Sequence, residues 1–190
     1  MLDDGQPATT VGHFVRSAAT TARLLAAGQL SQPTTHLARP LRFADGTTSY
    51  VFRETVADGV STADPTVLVV RFSLRMVGTS PWWHAAFRRE CVLHTPLFAG
   101  FPGFRSKLWL TDLQTGVYRG MYEWDGAGLA ADYAETLARL LRIVSVRRSV
   151  RHHIVAGVRR DALLRDTTLV TDGPGWSRLI PPEPAASRSA

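Results

Sequence analysis

Apolar and polar residues alternate along residues 66–76, and this period of two predicts a β-strand. The polar face of the strand carries Arg71, Ser73 and Arg75. The apolar face comprises Leu68, Val70, Phe72, Leu74 and Met76. We expect the apolar face to pack against a helical layer, because a sheet buries its apolar face against another element.

The chain then changes to a helical period. Ser80 is a suitable N-cap and Pro81 a suitable first helical residue. Trp83, Phe87 and Cys91 recur four residues apart, as on one stripe of a helix. We expect this helix to end near Pro96.

A loop and a β-hairpin are predicted next. In the loop "FAGFPGF", residues 98–104, Gly103 provides a backbone freedom that a residue with a side chain lacks. Thr115-Gly116 joins the strand that ends at Leu110 to a strand over residues 117–124. Period two places Arg105, Lys107 and Trp109 on one face of the first strand, and Tyr118, Tyr122 and Trp124 on one face of the second.

Residues 128–144 predict a second helix and residues 149–157 a last strand. The apolar stripe of the helix comprises Leu129, Tyr133, Leu137, Leu140, Leu141 and Val144. The order β-α-β-β-α-β favours an α+β, ferredoxin-like unit with both helices on one sheet face. The other face would then expose apolar area, so we predict a homodimer that hides it.

The segments outside this unit predict an extension and a tail. Apolar spacing over residues 11–27 predicts a helix ended by Gly28, and Asp45-Gly46 predicts a hairpin within residues 41–56. The proline-rich end of the chain predicts disorder. We therefore divide the chain into an N-terminal helix and hairpin extension packed on the core (1–65), the ferredoxin-like domain (66–165) and a mostly disordered tail (166–190).

Composition limits the function classes. The 190 residues are 45% apolar and include one cysteine, and the N-terminus has no apolar leader pattern, so a cytoplasmic protein without a membrane partner is expected. The net charge is +6 and Lys107 is the one lysine among 22 basic residues. Nucleic acid is not favoured as a partner, because no zinc-finger spacing or helix-turn-helix pattern is present.

The segments "PLFAGFPGFRSKLWL", "GVYRGMYEWDG" and "AADYAETLARLL" resemble the dimeric α/β-barrel superfamily, and within it the antibiotic-biosynthesis monooxygenase-like branch with its small monooxygenases. The resemblance covers residues 66–157. It implies two sheets that pack face to face in a dimeric α/β barrel, and a pocket between sheet and helices. It further implies oxidation of phenols or hydroquinones by oxygen without a bound metal or flavin, or degradation of haem.

Haem degradation is not favoured, because the chain contains no asparagine and residues 128–144 contain no histidine. His84 and His94 lie about three helical turns apart, too far to ligate one metal ion. We therefore expect neither a cofactor nor a metal.

The candidate site combines proton-transfer residues with aromatic walls. His84, His94 and His152 are the candidate bases, because the pKa of histidine lies near neutrality. In the last strand His152 and His153 point to opposite faces, and His152 is expected to be the more buried of the two. Arg105 and Lys107 would stabilise an enolate or phenolate, with Trp109, Tyr122 and Trp124 as walls.

Two classes of function remain open from the residues. The first is a cofactor-independent enzyme, monooxygenase-like or a non-oxidative cyclase or isomerase, that acts on an aromatic or polyketide-type secondary metabolite. The second is a non-catalytic ligand-binding or accessory dimer.

Overall fold

The computed structural model describes residues 7–59, 62–75, 98–112 and 114–182, with side chains from residue 17 onward. The predicted helix that starts at Ser80 lies outside the described residues, and so do His84 and His94. The described helices are α1 (Pro7–Ala26), α2 (Ala127–Val144) and α3 (Arg160–Arg165), followed by a short 3-10 helix (Thr167–Leu169).

An antiparallel sheet organises the described chain. Its strands are β1 (Leu30–Ser31), β2 (Pro40–Phe43), β3 (Thr48–Ala57), β4 (Pro65–Ser73), β5 (Phe104–Asp112), β6 (Val117–Asp125), β7 (Arg151–Ala156) and β8 (Leu179–Ile180). The strand order is β7-β4-β6-β5-β3-β2-β8, and β1 pairs with β3.

The strands β4 to β7 have the ferredoxin-like arrangement. Numbered from β4, their spatial order is 4-1-3-2, with β4 paired to both β6 and β7 and with α2 between β6 and β7 in the chain. Both predicted hairpins are confirmed, since β2 pairs with β3 and β5 with β6. Gly46 and Gly116 occupy the turns with φ of 83° and 66°, a region that favours glycine.

The N-terminal hairpin extends this sheet instead of forming a separate layer. β3 pairs with β5 along residues 50–56, with an irregularity between Val51 and Arg53, and β2 and β8 follow outward. The sheet therefore continues beyond the edge at which a four-stranded ferredoxin-like unit would end.

Each face of the sheet carries its own core. On the helix face, α2 contributes Tyr133 and Leu137. This core also contains Leu68, Val70, Phe98, Phe104, Trp109, Tyr122 and Trp124. On the opposite face, Leu163 and Leu164 of α3 and Leu179 of β8 cover the strands. This second core also contains Phe43, Val67, Val69, Leu108, Leu110 and Met121.

The second core contradicts two expectations, one about the C-terminal segment and one about the open sheet face. The segment 166–182 was expected to be disordered, yet it forms the 3-10 helix and β8, because Leu179 is buried and the backbone of β8 pairs with β2. Together with α3 it covers the sheet face that was predicted to be open. The apolar area that motivated a homodimer is therefore covered within one chain.

Helix α1 ends at Ala26 before Gly28, as predicted, but a different face is buried. Ser17 and Thr21 are buried, whereas Leu25 is 54% exposed. Small side chains face inward because the helix backbone lies against the loop at Gly100, where a Cβ would overlap the carbonyl of Ser17.

The buried face of helix α2 also differs from the predicted one. Tyr133 and Leu137 of the predicted stripe are buried, but Leu129 and Val144 are exposed. Ala130, Ala134 and Ala138 are buried instead. Alanine fits this face because bulky rings from the sheet already fill the space beneath the helix.

Candidate aromatic–lysine site

An aromatic cluster lies between β5, β6 and α2. The ring of Trp124 is 4.8 Å from that of Tyr133 and 6.4 Å from that of Tyr122. Phe98 contacts the rings of Trp109 and Tyr122 edge-on at 5.4 and 6.2 Å. The structure thus brings Trp109, Tyr122 and Trp124 together, as the sequence predicted, and adds Phe98 and Tyr133.

Lys107 lies within this cluster. Strand alternation places it beside Trp109 on the helix face, where it is only 5% exposed. Its Nζ lies 3.0 Å from the centroid of the Trp109 ring, 4.4 Å from that of Phe98 and 4.7 Å from that of Tyr122. Ring faces attract a cation, so the cluster holds an ammonium group in a site shielded from water.

The same cluster contains a pair of hydrogen-bonded tyrosine hydroxyls. The hydroxyl of Tyr133 donates a hydrogen bond of 3.4 Å to that of Tyr122. Burial raises the pKa of Tyr133 well above its ordinary value, and the neighbouring Tyr122 adds to the shift. Tyr133 therefore stays protonated and acts as a hydrogen-bond donor at neutral pH.

Gly120 provides the space for the Tyr122 ring. A Cβ at this position would lie 2.6 Å from Cε2 of Tyr122, well inside contact distance. Gly120 also pairs with Trp109 across the β5–β6 ladder. The sequence signal was a glycine inside a strand pattern, which often marks close approach of another group.

Two indole N–H groups in the cluster have no hydrogen-bond partner among the described residues. Nε1 of Trp109 and Nε1 of Trp124 are buried, and neither donates to an acceptor in the part of the chain that the structure describes. Buried polar groups are normally paired, so two such donors are unusual within one aromatic cluster.

Arg105 does not join the cluster, contrary to the prediction that it shares a face with Lys107. The β5–β6 register shifts between Phe104 and Ser106, and this irregularity breaks the alternation. Arg105 instead pairs with Asp125, with 2.7 Å between its Nη2 and Oδ2 of the carboxylate.

Arg105 thereby lines a polar cleft of about 350 Å³ that sequence reasoning did not identify. Nη2 of Arg160 lies 2.6 Å from Oε1 of the buried Glu54, and Nδ1 of His36 lies 2.9 Å from the other oxygen of that carboxylate. The backbone N–H of Arg160 donates to Glu123. These paired charges join β3, β6 and α3, because each partner comes from a different element.

The predicted burial of the two adjacent histidines is reversed. His152 is exposed on β7, with β4 between it and β6. His153 is partly buried, and its Nδ1 lies 3.0 Å from Oγ of Ser177. Desolvation lowers the pKa of His153. The reason is that the C-terminal segment covers β7 on the face of His153, a contact that the local sequence does not encode.

Within the described ranges, no group of three or more histidine, cysteine or acidic side chains is placed to hold a metal ion. No helix in the same ranges is long and apolar enough to cross a membrane.

Comparison with known proteins yields distant structural likenesses. No protein-family model and no curated protein matches the chain. Similar solved structures include an uncharacterized ferredoxin-fold protein related to antibiotic biosynthesis monooxygenases from Listeria monocytogenes, with 16% identity, a TM-score of 0.40, and coverage of 72% of this chain and 86% of that one.

Two further structures are similar to the same degree. The heme-degrading enzyme from Listeria monocytogenes has 16% identity and a TM-score of 0.39, over 70% of this chain and 90% of that one. An anthrone oxidase-like protein has 14% identity and a TM-score of 0.38, over 60% of this chain and 58% of that one. Likenesses this distant carry no argument about activity.

Proposed function

We propose that this chain is a cofactor-independent enzyme, monooxygenase-like, that acts on an aromatic or polyketide-type molecule at the aromatic–lysine site. The observation that carries the proposal is the Lys107 ammonium 3.0 Å from the Trp109 ring in a buried cluster. Aromatic rings stack on flat substrates, and a cation beside them attracts an oxyanion. This combination suits a phenol or enol better than a saturated substrate.

The chemistry begins with loss of a proton from the bound phenol or enol. Lys107 stabilises the resulting anion, because a cation held away from water acts on nearby charge more strongly than one in solution. Tyr133 donates a hydrogen bond to Tyr122 and so holds the Tyr122 hydroxyl in place, and the Tyr122 ring centroid lies 4.7 Å from Nζ of Lys107. We retain His84 and His94 as the proposed bases, while His152 is exposed on β7 and is not retained.

The oxidative reaction takes dioxygen as its second substrate. Conversion of an activated CH₂ group to a carbonyl removes four electrons, which reduce O₂, so that one oxygen atom enters the product and the other leaves as water. A cyclase or isomerase would use the same anion but return the proton to the product. Both reactions need the Lys107 cation.

The test follows oxygen uptake and product mass with a panel of hydroxylated polycyclic aromatic compounds. Lys107→Met keeps the volume of the side chain but removes its charge, and we expect turnover to fall by about 100-fold or more. Arg105→Gln is the matched control, because it removes a cation from the same strand but outside the site, and should leave turnover unchanged. An anaerobic reaction that still proceeds would identify the non-oxidative alternative.

The proposed bases are tested separately. His84→Ala or His94→Ala should lower turnover by about 100-fold for at least one of the two. His152→Ala is the control. A fully active Lys107→Met variant would overturn the role of the lysine, and full activity of both histidine variants would overturn the assignment of the base.

The second candidate function is ligand binding without turnover. The observation that favours it is the close packing of Tyr122, Trp124 and Tyr133 against one another. Quenching of tryptophan fluorescence by compounds that are never converted would support it. Homodimer formation stays a prediction for either role, and light scattering at micromolar concentration tests it. A dimer would have to use a surface other than the covered sheet face.

A further inference from the structure

A surface separate from the proposed active site combines exposed arginines, which form no ion pair with a carboxylate among the described residues, with exposed aliphatic side chains. It lies where α2 ends and the chain turns toward β7, and we call residues 142–151 together with Arg75 the arginine tip. The charged members of the tip are Arg75, Arg142, Arg147, Arg148 and Arg151. All five are exposed.

The charge of the tip is one-sided. Residues 136–160 contain seven arginines and no aspartate or glutamate. None of the five tip arginines forms an ion pair with a carboxylate among the described residues. The whole chain carries a net charge of +6, and five of its positive charges lie together in the tip.

Aliphatic side chains project between these arginines. Ile143 is 71% exposed, Val144 48% and Val146 46%. Exposed apolar residues that adjoin one another indicate an interaction site more strongly than isolated ones. The tip therefore offers both charge and apolar area to a partner.

The backbone of the tip is held in place. Nε of Arg75 donates a hydrogen bond of 2.6 Å to the carbonyl of Ser145, and the backbone N–H of Arg75 donates to Val144. Ser145 is buried while the residues on both sides of it are exposed. Arg148 adopts a φ of 62°, so the turn has a defined and unusual conformation.

We propose that the arginine tip docks on an anionic lipid surface. Arginines attract acidic headgroups, and aliphatic side chains between them enter the boundary between headgroups and acyl chains. Nucleic acid fits less well, because residues 142–151 contain no aromatic side chain for base stacking. The proposal departs from the expectation of no membrane partner, which was drawn from the missing leader pattern and not from the charges of the folded surface.

The test is co-sedimentation of the full chain with vesicles. We expect binding to phosphatidylcholine vesicles that contain phosphatidylglycerol, and none to phosphatidylcholine alone, with weaker binding at high salt. The double variant Arg147→Gln and Arg148→Asn should lower the partition coefficient by roughly 25-fold, about fivefold for each arginine. Asparagine is chosen at position 148 because it tolerates positive φ.

The apolar contribution is tested by Ile143→Ser with Val146→Ser. We expect a loss of about tenfold that persists at high salt, because burial of apolar area is not screened. The matched controls are Arg165→Gln and Leu169→Ser, which alter an exposed arginine and a 50% exposed leucine elsewhere. Unchanged melting temperatures verify that every variant is folded.

Three results would overturn the proposal. The first is absence of binding to anionic vesicles at low salt. The second is a serine variant that binds as the wild type does while the arginine variant does not, which would mark a surface for polyanions in general. The third is binding to DNA or to an acidic protein that exceeds binding to vesicles under the same salt conditions.

Discussion

The β5–β6 hairpin buries one cation on each of its faces, and the two are stabilised in different ways. Arg119, on the face covered by α3 and β8, donates to Asp45, Thr47, Ser49 and the carbonyl of Trp176. Lys107, on the helix face, lies against three aromatic rings. The contacts of Arg119 are hydrogen bonds to fixed acceptors, whereas Nζ of Lys107 lies over the faces of aromatic rings at the proposed site.

The difference separates a structural cation from a candidate functional one. Desolvation lowers the pKa of Arg119 to about 10, and Asp45 offsets part of this shift. Arg119 stays charged at neutral pH and joins the β2–β3 hairpin to β6 and to the C-terminal segment. Burial of a charge therefore does not by itself indicate function, because the chemistry of its partners decides what the charge can do.

The largest expected effect is on stability. Arg119→Ala should lower the free energy of unfolding by about 3 kcal/mol, because it removes four hydrogen bonds, of which the one to Ser49 is buried and the others are partly buried. Lys107→Met should lower it by less than Arg119→Ala does, because methionine keeps the volume of the side chain and packs against the same rings. Urea denaturation measures both. Equal destabilisation by the two variants would show that Lys107 is structural too.

A smaller effect is expected at Gly120, directly beneath the site. Gly120→Ala places a methyl group against the Tyr122 ring and should cost about 1–3 kcal/mol of stability, because the packed ring has to move. Ligand binding at the aromatic–lysine site should weaken in parallel. Gly128→Ala is the control, because nothing lies within 4 Å of a Cβ at that position. A stable Gly120→Ala variant with unchanged binding would show that the position of the Tyr122 ring is unimportant.

The smallest expected effect is the pH dependence contributed by His153. Its pKa is lowered in the folded state by desolvation, so the unfolded chain binds a proton more readily. The resulting loss of folding stability is absent well above the ordinary histidine pKa, and it appears as the pH falls through that value. Thermal melts of His153→Gln should therefore show a smaller loss of stability between neutral and mildly acidic pH than the wild type. His152→Gln, an exposed neighbour, should behave as the wild type does.

Local patterns were sufficient to predict most elements of the fold. Alternation over residues 66–76 and 117–124 gave β4 and β6, because a strand shows its two faces in the sequence itself. Turn chemistry at Asp45-Gly46 and Thr115-Gly116 gave both hairpins, because these residues favour the required backbone angles. The ferredoxin-like order then followed from the succession of elements.

The candidate site could be predicted only in part. Lys107, Trp109, Tyr122 and Trp124 were named because period two places each pair on one strand face. Tyr133 was assigned to core packing, since nothing in the helix pattern reveals that its hydroxyl meets that of Tyr122. Arg105 was assigned to the wrong face, because a bulge depends on how two strands pair and leaves no signal in either strand alone.

The sequence by itself determined where strands, turns and α2 lie and which residues share a strand face, because those properties depend on neighbours along the chain. Only the tertiary structure decided that the C-terminal segment covers the second sheet face, that His153 rather than His152 is shielded, and that Lys107 is enclosed by rings. These outcomes depend on contacts between residues far apart in the chain. Such contacts form when remote segments bury each other's apolar area, a gain that no single segment displays in its own pattern.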